Sequence, residues 1–349
     1  VLKEGEVQGS DVAAHSAGVL DIRTNILADT DALYLTAIDK YGHELWRWTF
    51  PVNKLNQQTE QLSPLSSRPT YTETENDLTV KANKRTFIFS KKDGQLKGVS
   101  VDNRKISFAN GPRFIGARRA DRSLDQFYNH DDEKAKEKDR TYSEFPDAAV
   151  FTKLDVKQDG GDLIVTANYK LGNLDKAQWT INPSGDLALD YTYNFSGVVD
   201  LMGIRFDYPE DQVISKRWLG AGPYRVWQNR IHGTQYDVWE NDYNDPIPGE
   251  TFTYPEFKGY FGDVSWMNIQ TKEGTISLTN ETPDTYIGVY QPRDGRDRLL
   301  YTLPESGISV LNVIPPVRNK VNSTDLCGPS SQPKWVNGPQ TGRVIFRFM

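Results

Sequence analysis

A chain of 349 residues is long enough to bury the core of one large β domain or of two ordinary ones. With 37% hydrophobic and 25% charged residues, no apolar run of membrane-helix length and a net charge of −6 without a basic stripe, it is expected to be globular, with neither a membrane nor a nucleic acid as partner. The single cysteine, Cys327, makes no internal disulfide, and the charged opening Val1-Leu-Lys-Glu-Gly-Glu6 is no signal peptide. The chain is therefore cytoplasmic, has been processed, or begins inside a longer protein; location stays unknown, with periplasmic or extracellular placed ahead of cytoplasmic.

In chain order, the first apolar runs are Gly18-Val-Leu-Asp-Ile-Arg23, Ala32-Leu-Tyr-Leu-Thr-Ala-Ile38 and Leu45-Trp-Arg-Trp-Thr-Phe50. In the last two, alternate residues share a face (Leu33, Leu35, Ala37; Trp46, Trp48, Phe50), the period of strands with one buried side. Residues 1–55 thus predict three or four strands of a sandwich, against about seven in an immunoglobulin-like domain. Their apolar face is expected to want a cover. Residues 56–70, with Ser63-Pro-Leu-Ser-Ser-Arg-Pro-Thr70, read as a linker.

From residue 71 to 349, strand patterns alternate with turn signals. Strands are expected at Leu78–Ala82, Arg85–Ser90, Leu96–Val101, Leu163–Tyr169, Leu187–Tyr193, Thr275–Thr279 and Arg343–Phe348. Hairpin or turn marks fall at Asp93-Gly94, Asn110-Gly111, Asp159-Gly-Gly-Asp162, Pro183-Ser-Gly-Asp186, Lys272-Glu-Gly274 and Asp294-Gly295, the first being the composition of a tight hairpin turn. No helical period intervenes, so the fold class is all-β, built as a large antiparallel sandwich. The charged run Asp131–Arg140 reads as a solvated loop or short surface helix without chemistry.

The densest stretch is Lys216–Asp245, where Trp218, Trp227, Trp239, Tyr224, Tyr236 and Tyr243 surround Gly220-Ala-Gly222-Pro223. Glycine opens backbone angles and proline fixes one, so an irregular loop is specified here. With Arg225, Arg230, Asp237 and Glu240 among them, these aromatics suit a sugar surface, flat faces for C–H groups and polar groups for hydroxyls. They equally suit a buried aromatic strand pair with a charged rim.

Motifs for chemistry are few. His15, His43, His130 and His232 show no metal-ligand spacing, and Gly-x-Ser-x-Gly and phosphate-cradling loops are missing, so no metal and no cofactor is expected. Glu240, Asp242 and Asp245 match no calcium loop and read as a solvated acidic turn. Asn280-Glu281 has the form of a glycosidase acid/base but sits in no strand–helix alternation, and His232 is the one histidine placed to serve an epimerase. No catalytic residue is assigned. Acceptor patterns for N-linked sugar at Asn194, Asn280 and Asn322 matter only in a eukaryotic secretory route.

Trp218-Leu-Gly-Ala-Gly-Pro223 with Arg230 resembles the Trp-x-Gly-x-Gly-Pro…Arg signature in the last domain of family-two β-galactosidases. In the same order, Asn83–Leu96, Gly111–Asp121 and Pro255–Trp266 are similar to further stretches of that domain, and Gly5–Ala13 and Gly42–Trp48 to the second half of the immunoglobulin-like domain before it. The resemblance implies a galactose-mutarotase-like β-supersandwich at 71–349 behind a partial immunoglobulin-like sandwich. It also implies that both catalytic glutamates lie on an upstream barrel of the same polypeptide, and that this region shapes the sugar entrance. The family's late stacking tryptophan is replaced by Gln332 in Cys327-Gly-Pro-Ser-Ser-Gln332, with Trp335 three residues on. Arg225 and Phe257 stand where the family has acidic or amide residues. The candidate carbohydrate-binding residues are Arg225, Trp227, Arg230, His232, Trp239, Gln332 and Trp335. A free-standing carbohydrate-binding module and an aldose epimerase are the alternatives.

Overall fold

The computed structural model describes residues 1–9, 11–22, 30–52, 67–119, 142–242, 259–289, 303–316 and 328–349. Among them run 22 strands: β1 Ala32–Ile38, β2 Glu44–Pro51, β3 Thr70–Glu73, β4 Asp77–Ala82, β5 Arg85–Ser90, β6 Leu96–Val101, β7 Arg104–Ile106, β8 Ala109–Arg119, β9 Tyr142–Glu144, β10 Val150–Asp159, β11 Asp162–Lys170, β12 Leu174–Ile181, β13 Leu187–Val199, β14 Leu201–Asp207, β15 Val213–Gly222, β16 Gln235–Asp242, β17 Phe261–Gly262, β18 Trp266–Thr271, β19 Gly274–Asn280, β20 Tyr286–Gly288, β21 Ile308–Val313 and β22 Lys334–Phe348. The strand ladders pair antiparallel throughout. One sheet of nine strands runs β10-β11-β12-β13-β22-β19-β18-β15-β16, and an eleven-stranded sheet runs β17-β20-β21-β14-β8-β6-β5-β4-β3 with β7 and β9 attached at its side.

Alternation along these strands is what makes the sandwich. Leu163, Val165 and Ala167 of β11, Leu187 and Leu189 of β13, and Val344, Phe346 and Phe348 of β22 point inward, and all are fully buried. Leu78 and Val80, Phe87 and Phe89, and Met202, Ile204 and Phe206 meet them from the other sheet in one continuous core. Phe108 bridges the layers, stacked on Phe206 at 4.7 Å and tilted against Phe346 at 5.0 Å. Polar residues close the rim. Arg347 of β22 holds Asp186 at 2.6 and 2.7 Å, while Arg85 of β5 donates to the carbonyls of Phe348 at 2.8 Å and Ser184 at 2.9 Å. Burial alone would raise the Asp186 carboxyl, but the bonds and charge of Arg347 outweigh it and hold it below the usual carboxylate range.

The expected strands of the large sandwich all form, and Gly160 and Gly185 take positive φ in the β10–β11 and β12–β13 turns where the sequence marks them. Two turn marks differ. Asp93-Gly94 lies in a five-residue connection, 91–95, in which Asp93 accepts from the Gln95 amide at 3.1 Å and Phe151 packs on Gly94. Asn110-Gly111 is no turn but a bend inside β8, where Phe206 lies so near Gly111 that a Cβ would meet it at 2.3 Å. At the N-terminal side the described residues hold β1 and β2, paired as a separate two-stranded sheet; the sequence predicts three or four strands over residues 1–55, part of which lies outside the described residues. Residues 18–22 form no strand, and Val19 is 88% exposed. Arg23, most of the linker, the 131–140 run and Asp294-Gly295 lie outside the described residues.

A second, smaller core sits on the outer face of the eleven-stranded sheet. Phe114 and Ile204 belong to the main core, whereas Ile115 and Ala117 of β8, Leu201 of β14 and Leu311 of β21 belong to the smaller one. Period two therefore gives this sheet apolar residues on both sides. The outer set is covered by Tyr142, Val226, Trp227, Tyr260, Leu303 and Ile314. Val226 and Trp227 come from the excursion between β15 and β16.

Candidate functional site

The β15–β16 hairpin pairs Trp218 directly with Trp239 and then opens into residues 223–234. Trp218 is fully buried, meets Phe261 edge-on at 5.0 Å and donates its indole N–H to the carbonyl of Ala221 at 2.9 Å. Trp239 is half-buried and lies across Gly222, where an added Cβ would fall 2.4 Å from its ring; only glycine admits that approach. Beyond the Gly222–Pro223 cis peptide, Val226 exchanges backbone hydrogen bonds with Tyr260 at 2.7 and 2.8 Å, and Trp227 does so with Arg230. The Val226–Tyr260 pair requires Gly259, since a Cβ there would lie 1.9 Å from the Val226 carbonyl oxygen.

These contacts place the candidate residues. Trp227 is 4% exposed and edge-on to Tyr260 at 5.8 Å, so its ring anchors the excursion in the smaller core and offers no stacking face. Arg225, 3% exposed, lies with its guanidinium 5.9 Å from the Phe261 ring centre. Arg230 and His232 are exposed at the outer end, where Tyr224 donates to the Gly233 carbonyl at 2.9 Å. Glu240 and Asp242 are exposed on β16, Asp245 lies outside the described residues, and among those described no three His, Cys, Asp or Glu side chains cluster to hold a metal. Glu281 pairs with Arg343 at 2.9 Å at the end of β19.

Gln332 and Trp335 come from a distant part of the sequence to the same place. Gly328 opens a single 3₁₀ turn, Pro329–Ser331, with no buried residue in it. Gln228, next to the anchored Trp227, donates its side-chain amide to the carbonyls of Ser330 at 2.9 Å and Gln332 at 2.7 Å, and Asn229 donates to the Ser331 hydroxyl at 3.2 Å. Gln332 is half-buried. Trp335 then begins β22 opposite Val198, on the face away from the core-packed Val336, and is 69% exposed. The structure thus joins the Gly-Pro excursion to the 328–332 turn and leaves Trp335 as the open aromatic face beside it. Gln228 and Asn229 lie inside the stretch the sequence marks, but nothing in their residue types foretells which carbonyls they meet.

Residues 81–314 match the family described as beta galactosidase small chain. This chain belongs to the β-galactosidase small-chain family. Among curated proteins none matches. Similar solved structures include galactose 1-epimerase from Lactobacillus acidophilus NCFM, 10% identical over 81% of this chain and 99% of that one, with a TM-score of 0.42. They include an aldose epimerase homologue from C. elegans, 7% identical over 80% of this chain and 99% of that one, TM-score 0.36. Aspergillus nidulans amine oxidase is a third, 9% identical over 86% of this chain and 55% of that one, TM-score 0.31. Likeness this distant carries no functional argument; membership of the small-chain family rests on the matched span, which includes the whole β15–β16 excursion but stops short of Gln332 and Trp335.

Proposed function

We propose that this small-chain-family protein is the non-catalytic C-terminal region of a β-galactosidase-like glycoside hydrolase, packing on the catalytic barrel upstream in the same polypeptide and shaping the sugar entrance. The observation that carries the reading is the uncovered face of the β1–β2 hairpin. Trp46, Trp48 and Phe50 are 53%, 45% and 47% exposed there, beside Leu33 and Leu35. A contiguous aromatic face of this kind marks a protein–protein contact. The sugar side of the reading rests on Trp335, whose exposed indole suits the C–H face of a galactoside.

Intact-mass and peptide analysis of the native gene product tests the reading. The expected result is a polypeptide well above the mass of this chain, with upstream peptides from a barrel, while the purified chain alone hydrolyses no o-nitrophenyl β-D-galactoside. Turnover by the isolated chain would defeat it. The exposure of Trp335 also favours a second reading, a free-standing carbohydrate-binding module, which predicts a native product of this chain's own length whose tryptophan fluorescence is quenched by millimolar galactosides.

A further inference from the structure

The Pro329–Ser331 turn has no buried residue. Its place is set instead by polar bonds from the neighbouring excursion. Gln228 is 8% exposed, and its backbone N–H donates to the Pro315 carbonyl at 3.1 Å, so the residue is fixed before its side chain reaches out. Its side-chain nitrogen meets two backbone carbonyls, Ser330 and Gln332, which fixes the amide orientation because only the NH₂ group can donate. Asn229 adds the bond to Ser331. Behind them stands Trp227, locked edge-on to Tyr260 in the smaller core. The chain of support therefore runs from a rigid core, through one amide, into a turn with no buried residue of its own, and this turn leads into β22, where the exposed Trp335 is the second residue and pairs with Val198.

We propose that Gln228, assisted by Asn229, is a positioning residue for the sugar entrance: it sets the 328–332 turn and through it the presentation of Trp335 to a galactoside. This rests on the entrance reading above. Removing the side-chain amide while keeping an apolar side chain of similar length, Gln228→Leu, strips both carbonyls of their donor and frees the turn without emptying the site.

The test uses the full-length native polypeptide and o-nitrophenyl β-D-galactoside. Gln228→Leu is expected to raise KM about tenfold, as the ordered turn falls to about a tenth of the population, while kcat stays within about twofold. Trp335→Ala is expected to raise KM by a similar factor, and the double variant to be no worse than Trp335→Ala alone, because the amide acts through the indole. An unchanged KM in Gln228→Leu, with KM raised in Trp335→Ala, overturns the role of Gln228 and leaves the entrance reading standing. An unchanged KM in Trp335→Ala overturns the entrance reading and this proposal with it. Independent, multiplicative effects in the double variant also overturn the proposal, since a residue that merely stabilises the fold would not be masked by Trp335. Should Gln228→Leu not fold, Ser331→Ala cuts the Asn229 bond at the turn itself; a KM rise of about two- to threefold supports the proposal, and no rise overturns it.

Discussion

The hairpin of β1 and β2 and the last strand, β22, carry the same instruction and meet different fates. In β22, Val344, Phe346 and Phe348 alternate with Arg343, Ile345 and Arg347, and Val344, Phe346 and Phe348 are fully buried. In β2, Trp46, Trp48 and Phe50 alternate in the same way and remain about half exposed. Period two chooses which side of a strand will be buried, but burial needs an opposing layer. The large sandwich supplies its own. Among the described residues, polar contacts join the hairpin side to the sandwich: Tyr34 donates to Asp237 of β16, and Asp31, just before β1, lies 3.6 Å from Arg217 of β15. Burial, reinforced by the bond to Asp237, pushes the Tyr34 hydroxyl up to about 12.

The largest expected effect tests whether the two regions differ in energy as they do in exposure. In the chain by itself, Phe346→Ala should cost about 3–5 kcal/mol, whereas Trp48→Ala should cost about 1 kcal/mol or less, both read from urea midpoints. In a full-length polypeptide where a partner layer covers the hairpin, the cost of Trp48→Ala should rise to about 2 kcal/mol or more. Equal costs in both settings would erase the contrast.

Next in size is the rim. Asp186→Ala leaves Arg347 without its carboxylate and should cost about 3 kcal/mol at neutral pH. Because the folded Asp186 carboxyl is held low, its contribution is fully present above the ordinary aspartate value near ~3.9 and is lost as pH falls from there through the lowered folded value. The variant should therefore lose less stability on acidification below that point than the parent; parallel acid limbs would show that this pair does not set the slope. Smallest is Tyr34→Phe, which removes the hydroxyl bond to Asp237 and should cost about 0.5–1.5 kcal/mol, seen as faster amide hydrogen exchange in the hairpin with the sandwich unchanged.

The regular part of the fold was legible in the sequence because the strands of the large sandwich announce a one-residue alternation, and Asp159–Asp162 and Pro183–Asp186 supply the turns. Asn110-Gly111 misled because the same residue pair serves a close approach to Phe206 inside a strand. At the site, the irregular loop at Gly222-Pro223 was readable from glycine and proline alone. The sequence allowed burial of the aromatics here but not where Trp227 would pack, because the residues around it come from segments as far apart as Ile115, Tyr260 and Ile314, and no local period records that meeting. The same holds for Gln228, whose partners lie 102 and 104 residues away.

The place of β22 in its sheet has a consequence for the order of events as the chain is made. It lies between β13 and β19, so it is the sole seam between the four strands β10–β13 and the four strands β15, β16, β18 and β19. Until residues 334–348 are made, the strands on either side have no partner at these edges, and their inner faces carry Leu163, Val165, Trp179 and Leu187 on one side and Trp218, Met267, Ile269 and Leu278 on the other. Closure is thus a late, long-range event, with β13 waiting for a partner whose residues lie 135 to 159 positions downstream, as in Lys334 for Val199 and Phe346 for Leu187. A molecule built this way exposes unpaired strand edges until its last strand is made, and an early chaperone has most to offer it then.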